Sequence, residues 1–257
     1  MILFLAGTSD ARELAVQIQT SGFPLLATVV TENGAKELRQ AGVEVQVGRL
    51  SDQEIASLVK EKGFHLVVDA SHPFAEEASK NAKSGASIAG VPYIRYEREQ
   101  LDYENELVIK VDSYEEAAEA AAEKGGVVFL ATGSKTLEIF AAKLLPLPDI
   151  RLIARMLPRL DNMEKCEKLG IPQKNIVAIQ GPFTKEFNTA LFRQYGVTVM
   201  ISKESGKEGS VDEKLDAAID LGIQTIMIGR PKIQYGTVYS SFGNIIEHIR
   251  NLLVPIK

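Results

Sequence analysis

Asp69-Ala70-Ser71-His72-Pro73-Phe74-Ala75-Glu76 follows directly on the apolar run His65-Leu66-Val67-Val68 and leads into a helical pattern. A run this short, closed by turn-forming residues, reads as a buried strand. Pro73 has no backbone N–H, yet it is tolerated in a first helical turn, so 74–89 reads as helix. His72 is thereby set at the carboxyl end of a sheet strand, the edge at which open α/β sheets bind ligands. A second junction of the same kind opens the chain, where Met1-Ile2-Leu3-Phe4-Leu5 runs into Ala6-Gly7-Thr8-Ser9-Asp10-Ala11-Arg12. The two junctions together point to an enzyme that holds an anionic cofactor over its strand ends.

Outward from these junctions the chain alternates regularly. Apolar strand-like runs at 1–6, 25–30, 43–47, 65–69 and 92–95 are separated by helical patterns at 9–21, 33–41, 52–62 and 74–89. Strict βα alternation demands a mostly parallel sheet with right-handed crossovers. The polar run Glu97-Arg98-Glu99-Gln100-Leu101-Asp102-Tyr103-Glu104-Asn105 interrupts the rhythm and reads as a linker. Alternation resumes with strands at 107–111, 126–131, 150–154, 175–179, 197–201 and 224–228, and helices at 114–124, 135–144, 160–169, 185–194, 211–221 and 242–253. Ser51/Glu54, Ser113/Glu116 and Ser210/Glu213 have capping-box spacing. The expected fold is α/β: two successive Rossmann-like domains, 1–97 binding a nucleotide and 98–257, with mostly parallel sheets flanked by helices and the active cleft between them.

Composition excludes several alternatives. The chain has 257 residues, 45% hydrophobic and 25% charged, enough for a sizeable core. A net charge of -5 attracts neither nucleic acid nor an anionic membrane, so neither is an expected partner. An anionic ligand would instead need a local cluster of cations. Cys166 is the only cysteine, so no internal disulfide forms, and the three scattered histidines make no metal constellation. The opening apolar run is short, lacks a basic leader and enters a glycine turn, so it reads as strand rather than signal peptide. No segment approaches the length of a membrane span. A cytoplasmic protein, monomer or homodimer, is expected.

The glycine turn departs from G-x-G-x-x-G, offering one glycine and small residues elsewhere. Gly7 would let the backbone approach a phosphate and the next helix would supply N–H donors; a plain strand-to-helix turn is the other reading. At the end of the second strand Thr31 stands where an acidic ribose ligand is usual, with Lys36 and Arg39 nearby, a lean towards NADPH over NADH. The two junctions and the end of the second strand assign Gly7, Thr8, Ser9, Asp10, Arg12, Thr31, Ser71 and Pro73 to the cofactor. Asp69 reads as structural. In the second half, Thr132-Gly133 ends a strand, and alternation places Arg151, Ile153 and Arg155 on one strand face. Ile201-Ser202-Lys203-Glu204-Ser205-Gly206 sets lysine, serines and glycine at a strand end, as an anion-binding loop or simply a polar loop. Arg230 adds one more cation to the same edge.

These blocks, Gly7 to Arg12, Asp69 to Ala75, Thr132-Gly133, Gly181-Pro182-Phe183, Ser202-Lys203-x-Ser205-Gly206 and Arg230-Pro231, resemble in order and spacing the precorrin-6A and cobalt-precorrin-6A reductases of cobalamin biosynthesis. The resemblance runs from residue 1 to about 250. Ala6 replaces a common leading glycine and Asp10 a common glutamate. The resemblance implies NAD(P)H-dependent reduction of a macrocycle double bond in a corrinoid precursor. NADPH serves with the metal-free substrate and NADH with the cobalt-containing one. It also implies that Arg151, Arg155, Lys203 and Arg230 gather substrate carboxylates, that Thr132, Gly133, Ser202, Ser205 and Gly206 line the substrate, and that His72 or Lys203 is catalytic. No protein-bound metal is expected. The competing reading is a nucleotide-binding module, or a transferase using a nucleotide-linked donor, on the same α/β frame.

Overall fold

The computed structural model describes residues 1–99, 104–204, 206 and 211–253. In chain order the elements are β1 (Ile2–Ala6), α1 (Ser9–Thr20), β2 (Leu25–Val29), α2 (Glu32–Gln40), β3 (Glu44–Val47), α3 (Asp52–Lys62), β4 (Leu66–Ala70), α4 (Glu76–Ala89) and β5 (Tyr93–Tyr96). There follow β6 (Val108–Val111), α5 (Tyr114–Lys124), β7 (Gly126–Leu130), α6 (Leu137–Leu144), β8 (Ile150–Met156), α7 (Leu160–Lys168), β9 (Ile176–Ala178), α8 (Lys185–Tyr195), β10 (Val199–Lys203), α9 (Val211–Asp220) and β11 (Gln224–Ile228). The described chain closes with β12 (Val238–Tyr239) and α10 (Phe242–Leu252). Among the described residues no helix is long and apolar enough to cross a membrane.

The strands form two six-stranded sheets, ordered β12-β5-β4-β1-β2-β3 and β6-β11-β10-β7-β8-β9. Every pairing is parallel. In the first sheet the chain runs outward from β1 through β2 and β3, then returns to β4 on the other side, so the strand order reverses between β1 and β4. The second sheet reverses in the same way between β7 and β10. Such a reversal leaves a crevice above the carboxyl ends of the two strands.

Both faces of the first sheet are covered, which is why β1 and β4 are buried at every position. Ile2, Phe4 and Ala6 pack with Leu14 and Ile18 of α1 and Ile245 and Ile249 of α10. Leu3, Leu5 and Val67 point the other way, against Ile55 and Val59 of α3 and Ala82 of α4. In the second unit Phe129, Ile153 and Met200 pack against Phe192 of α8 and Leu215 and Ala218 of α9. The Ser51/Glu54 capping box is complete. At Ser113 only half forms, because the Glu116 carboxylate accepts from the Asp112 N–H instead. Ser210 lies outside the described residues, and Glu213 accepts from the Lys185 N–H at 2.8 Å.

The division of the chain differs from the expected one. One compact unit comprises Met1–Glu99 together with the segment from Pro231 onward, and the other extends to Arg230. Residues from 231 therefore do not belong to the second domain as 98–257 supposed. The reason is physical: β12 pairs with β5, and the apolar face of α10 completes the core over β1 and β4. β6, which follows β5 in sequence, pairs instead with β11. The start of the supposed linker is also ordered, since Arg98 is buried and ion-paired to Asp10.

Candidate active site

At the reversal in the first unit, β1 and β4 end side by side, with Ala6 in register with Ala70. Gly7 is a glycine for a reason the sequence did not show: a Cβ there would lie 2.8 Å from the His72 nitrogen and 3.2 Å from the Ser71 Cα. The two turns thus touch backbone to backbone, and Gly7→Ala is expected to lower thermal stability as well as any cofactor affinity. Thr8 caps α1, its hydroxyl accepting from the Ala11 N–H at 3.3 Å, while Gly7 and Ser9 are exposed. Asp10, the acidic residue of this first turn, is buried and takes both an Nε–H and an Nη2–H from Arg98. Burial alone would raise its pKa, but hydrogen bonds from Arg98 and Thr8 and the Arg98 charge hold it below the usual carboxylate range. The turn consequently offers hydroxyls and a helix N-terminus with its one carboxylate neutralised, a donor set that fits a diphosphate.

Several residues assigned to the cofactor are engaged elsewhere. The Ser71 side chain turns inward, its hydroxyl accepting from Arg95 Nη1 at 3.1 Å and lying 3.2 Å from the Ser79 hydroxyl. Pro73 is buried and belongs to a turn closed by Ala75 N–H to the His72 carbonyl, so α4 begins at Glu76 rather than at 74. Arg12 pairs with Glu37. Thr31 is exposed and caps α2 through the Gly34 N–H. Arg39 pairs with Glu32 at 3.1 Å, which weakens the case for a 2′-phosphate site. His72 is half-buried, and its Nδ1 accepts from the Phe74 N–H at 3.1 Å, leaving Nε2 to carry the proton of a neutral ring.

Beneath this loop lies a buried network that sequence reasoning reduced to Asp69 alone. Asp69 accepts from Ser71 N–H at 2.9 Å, from Tyr93 Oη at 2.8 Å and from Arg95 Nη1 at 2.9 Å. Arg95 is fully buried, donates from Nε to Glu97, and lies 5.0 Å from the Tyr235 ring centroid. Burial and the Asp69 carboxylate push the Tyr93 hydroxyl far above its usual range, so it remains a donor.

The second unit has a cavity of about 320 Å³ at the carboxyl edge of its sheet. It is lined by Ala131 and Gly133 after β7, Arg155 and Met156 of β8 with Leu157 just beyond, Ile179 and Gly181-Pro182-Phe183 before α8, Asn188 of α8 and Lys214 of α9. Arg155 is buried between the rings of Phe183 and Phe129, 4.5 and 5.3 Å from their centroids, and donates to Asn188 Oδ1 at 2.8 Å. Burial lowers its pKa to about 10. Lys214 is lowered to about 7, by burial first and then by Arg155 and Lys203. Lys203, over the Tyr114 ring at 5.2 Å, is lowered to about 8 by burial and by Lys135. The hydroxyls of Thr132 and Ser202 are buried without a hydrogen-bond partner among the described residues.

The remaining substrate candidates separate from this group. Arg151 stands near the amino end of β8, roughly 13 Å along the strand from Arg155 at 3.3 Å per residue, and donates to Asn175 Oδ1. Sharing a strand face did not bring the two together. Arg230 is neutralised by the buried Glu204, which also accepts from the Gly206 N–H. Ser205 lies outside the described residues. Asn188 was missed and Lys214, expected to be solvated, is buried, although each sits on a legible stripe: Lys214 with Leu215, Ala217 and Ala218, and Asn188 with Phe192. A charged residue on the apolar side of a helix is the signal that would have found Lys214.

Two parallel sheets with a phosphate-suited turn on one and a cationic cavity on the other make a two-domain, Rossmann-like α/β enzyme. More narrowly, the chain belongs to the precorrin-6x reductase family CbiJ/CobK, whose family model matches residues 1–250. It is 61% identical over 251 residues to the cobalt-precorrin-6A reductase of Priestia megaterium, covering 98% of both chains. It is 34% identical to that of Methanothermobacter thermautotrophicus, covering 98% of this chain and 84% of the relative. A solved CobK precorrin-6A reductase superposes with a TM-score of 0.81 at 26% identity, covering 98% of this chain and 96% of that one. Family membership decides between the two readings left open by the sequence in favour of an oxidoreductase of cobalamin biosynthesis acting on a CH–CH bond, chemistry that implies a nicotinamide cofactor.

Proposed function

We propose that this reductase acts on cobalt-precorrin-6A, with NADH as its preferred donor. The observation that carries the substrate is the end-to-end 61% identity to a relative named for it. The ion pair Arg39–Glu32 supports NADH, since it engages one of the two cations, Lys36 and Arg39, near the end of β2 that would meet a 2′-phosphate. Bound reduced nicotinamide supplies a hydride. Gly7, Thr8 and Ser9 bind and orient its phosphates. Arg155, Lys203 and Lys214 hold carboxylates of the macrocycle's acetate and propionate chains by charge-assisted hydrogen bonds, with Phe183 and Leu157 offering apolar surface to the ring. His72 Nε2–H, its ring fixed through Nδ1 by the Phe74 N–H, polarises the reacting system by hydrogen bonding, and the proton that completes the reduction comes from solvent.

Loss of the nicotinamide absorbance on adding cobalt-precorrin-6A tests the reading. Turnover with NADH is expected; a preference of more than tenfold for NADPH, or reduction of metal-free precorrin-6A alone, overturns it. Lys203→Ala should lower kcat/KM at least about tenfold, roughly 1.4 kcal/mol of transition-state stabilisation, with little change in Tm. The exposed Lys124 is a suitable control, whereas Lys214 is not, because it lines the cavity. Wild-type turnover by both variants removes the second-unit loop from the site.

A further inference from the structure

Lys214 and Arg155 line the same cavity, and among the described residues no carboxylate pairs with either. Lys214 is only 9% exposed. The polar group nearest to serving as a neutral acceptor, Asn188 Oδ1, already accepts from Arg155. The elements packed against α9 bring few other charges. α8 carries Lys185, Glu186, Arg193 and Tyr195, β10 carries Lys203, and β11 carries none. On α9 itself Glu213 accepts from the Lys185 N–H and Asp220 pairs with Lys185 Nζ at 2.8 Å, while Asp216 is exposed. Arg155 and Lys203 are the groups that act on the Lys214 ammonium, and both repel it.

Two buried cations side by side without an anion form a costly arrangement, and the member that can discharge is the lysine, since a guanidinium keeps its proton. We propose that at mildly alkaline pH Lys214 is mostly a neutral amine in the ligand-free protein and that a carboxylate entering beside Arg155 draws a proton onto it from solvent. Substrate binding is then proton uptake: the incoming carboxylate supplies the missing counter-charge, and the ammonium it creates donates to it. The inference rests on the reading that this cavity receives substrate carboxylates, and it adds that the site completes its charge only when they arrive. The sign follows from linkage: affinity is full below the free-state value near 7 and falls as pH rises above it.

The free state is tested by nuclear magnetic resonance on protein labelled with carbon-13 at lysine Cε, with Lys214→Met or Lys214→Arg identifying the resonance. A midpoint near 7 is expected; the ordinary lysine value of about 10.4 overturns the proposal. The coupling is tested by calorimetric titration of the wild-type protein with uroporphyrin, a stable tetrapyrrole bearing acetates and propionates, at pH 8 in buffers of different ionisation enthalpy. Uptake of close to one proton is expected, lost in Lys214→Arg while binding persists. Zero uptake, or no binding of the polycarboxylate, overturns it. Turnover of cobalt-precorrin-6A by wild-type enzyme is scored separately, so uptake can fail while the assigned reaction stands.

Discussion

A chain ending at Arg230 is expected to lose the fold of the first unit although it retains all of β1 to β5. Ile245 and Ile249 of α10 are fully buried against β1 and β4, and Ile246 nearly so. Each such side chain contributes about 1.5–3 kcal/mol, and the three together about 5–9 kcal/mol. That is comparable to the whole stability of an ordinary domain, about 5–15 kcal/mol. The truncation also removes the Thr237 and Tyr239 carbonyls that accept from the Arg95 and Glu97 N–H groups, and the Tyr235 ring beside the Arg95 guanidinium. Amide hydrogen exchange is the direct measurement: protection in β1 and β4 should collapse. Native-like protection there would show that α10 is dispensable and that the core has been read wrongly.

Asp69→Ala should produce the largest loss from a single substitution in the same unit. It removes one of the two carboxylates paired with Arg95 and leaves Glu97, while the Arg95 side chain is fully buried and its Nη2 already has no hydrogen-bond partner among the described residues. Breaking a buried ion pair from one side costs about 3–5 kcal/mol, which for a protein of this size lowers Tm by roughly 6–20 °C. The Ser71 N–H and Tyr93 hydroxyl lose their acceptor as well. A double replacement, Asp69→Leu with Arg95→Met, removes both charges and should recover part of the loss. If Asp69→Ala melts within two degrees of wild type, the pair contributes little and the His72 loop is held by other contacts. Thermal melts of the three variants decide this.

Fold and site were legible to different depths. Element types followed from periodicity, and each strand and helix expected from the sequence has its counterpart, because buried parallel strands are nearly continuous apolar runs and helices show their stripes. What escaped was pairing. Val238–Tyr239 is a strand of two residues, too short for any pattern, and nothing local says that α10 covers β1 rather than β7. Asp69 was read as structural, and its three donors bear this out. The site was harder because cations were counted without their partners. Arg230 and Arg12 look like Arg155 in a sequence, but Glu204, 26 positions away, and Glu37, 25 positions away, neutralise them.

The exchange of outer strands also sets a timetable. The second unit is one continuous stretch of chain inserted between β5 and β12, so its last strand is synthesised before the first unit receives its own. At about 5–20 residues per second, the interval from β5 to α10 lasts roughly 8–30 seconds. Until then the strands of the first unit lack both the outer strand and the helix that complete their core, and unpaired strand edges are templates for wrong pairing. The Thr237 and Tyr239 carbonyls that take the Arg95 and Glu97 N–H groups arrive only with that last segment. The half of the protein that emerges first is the half that finishes last.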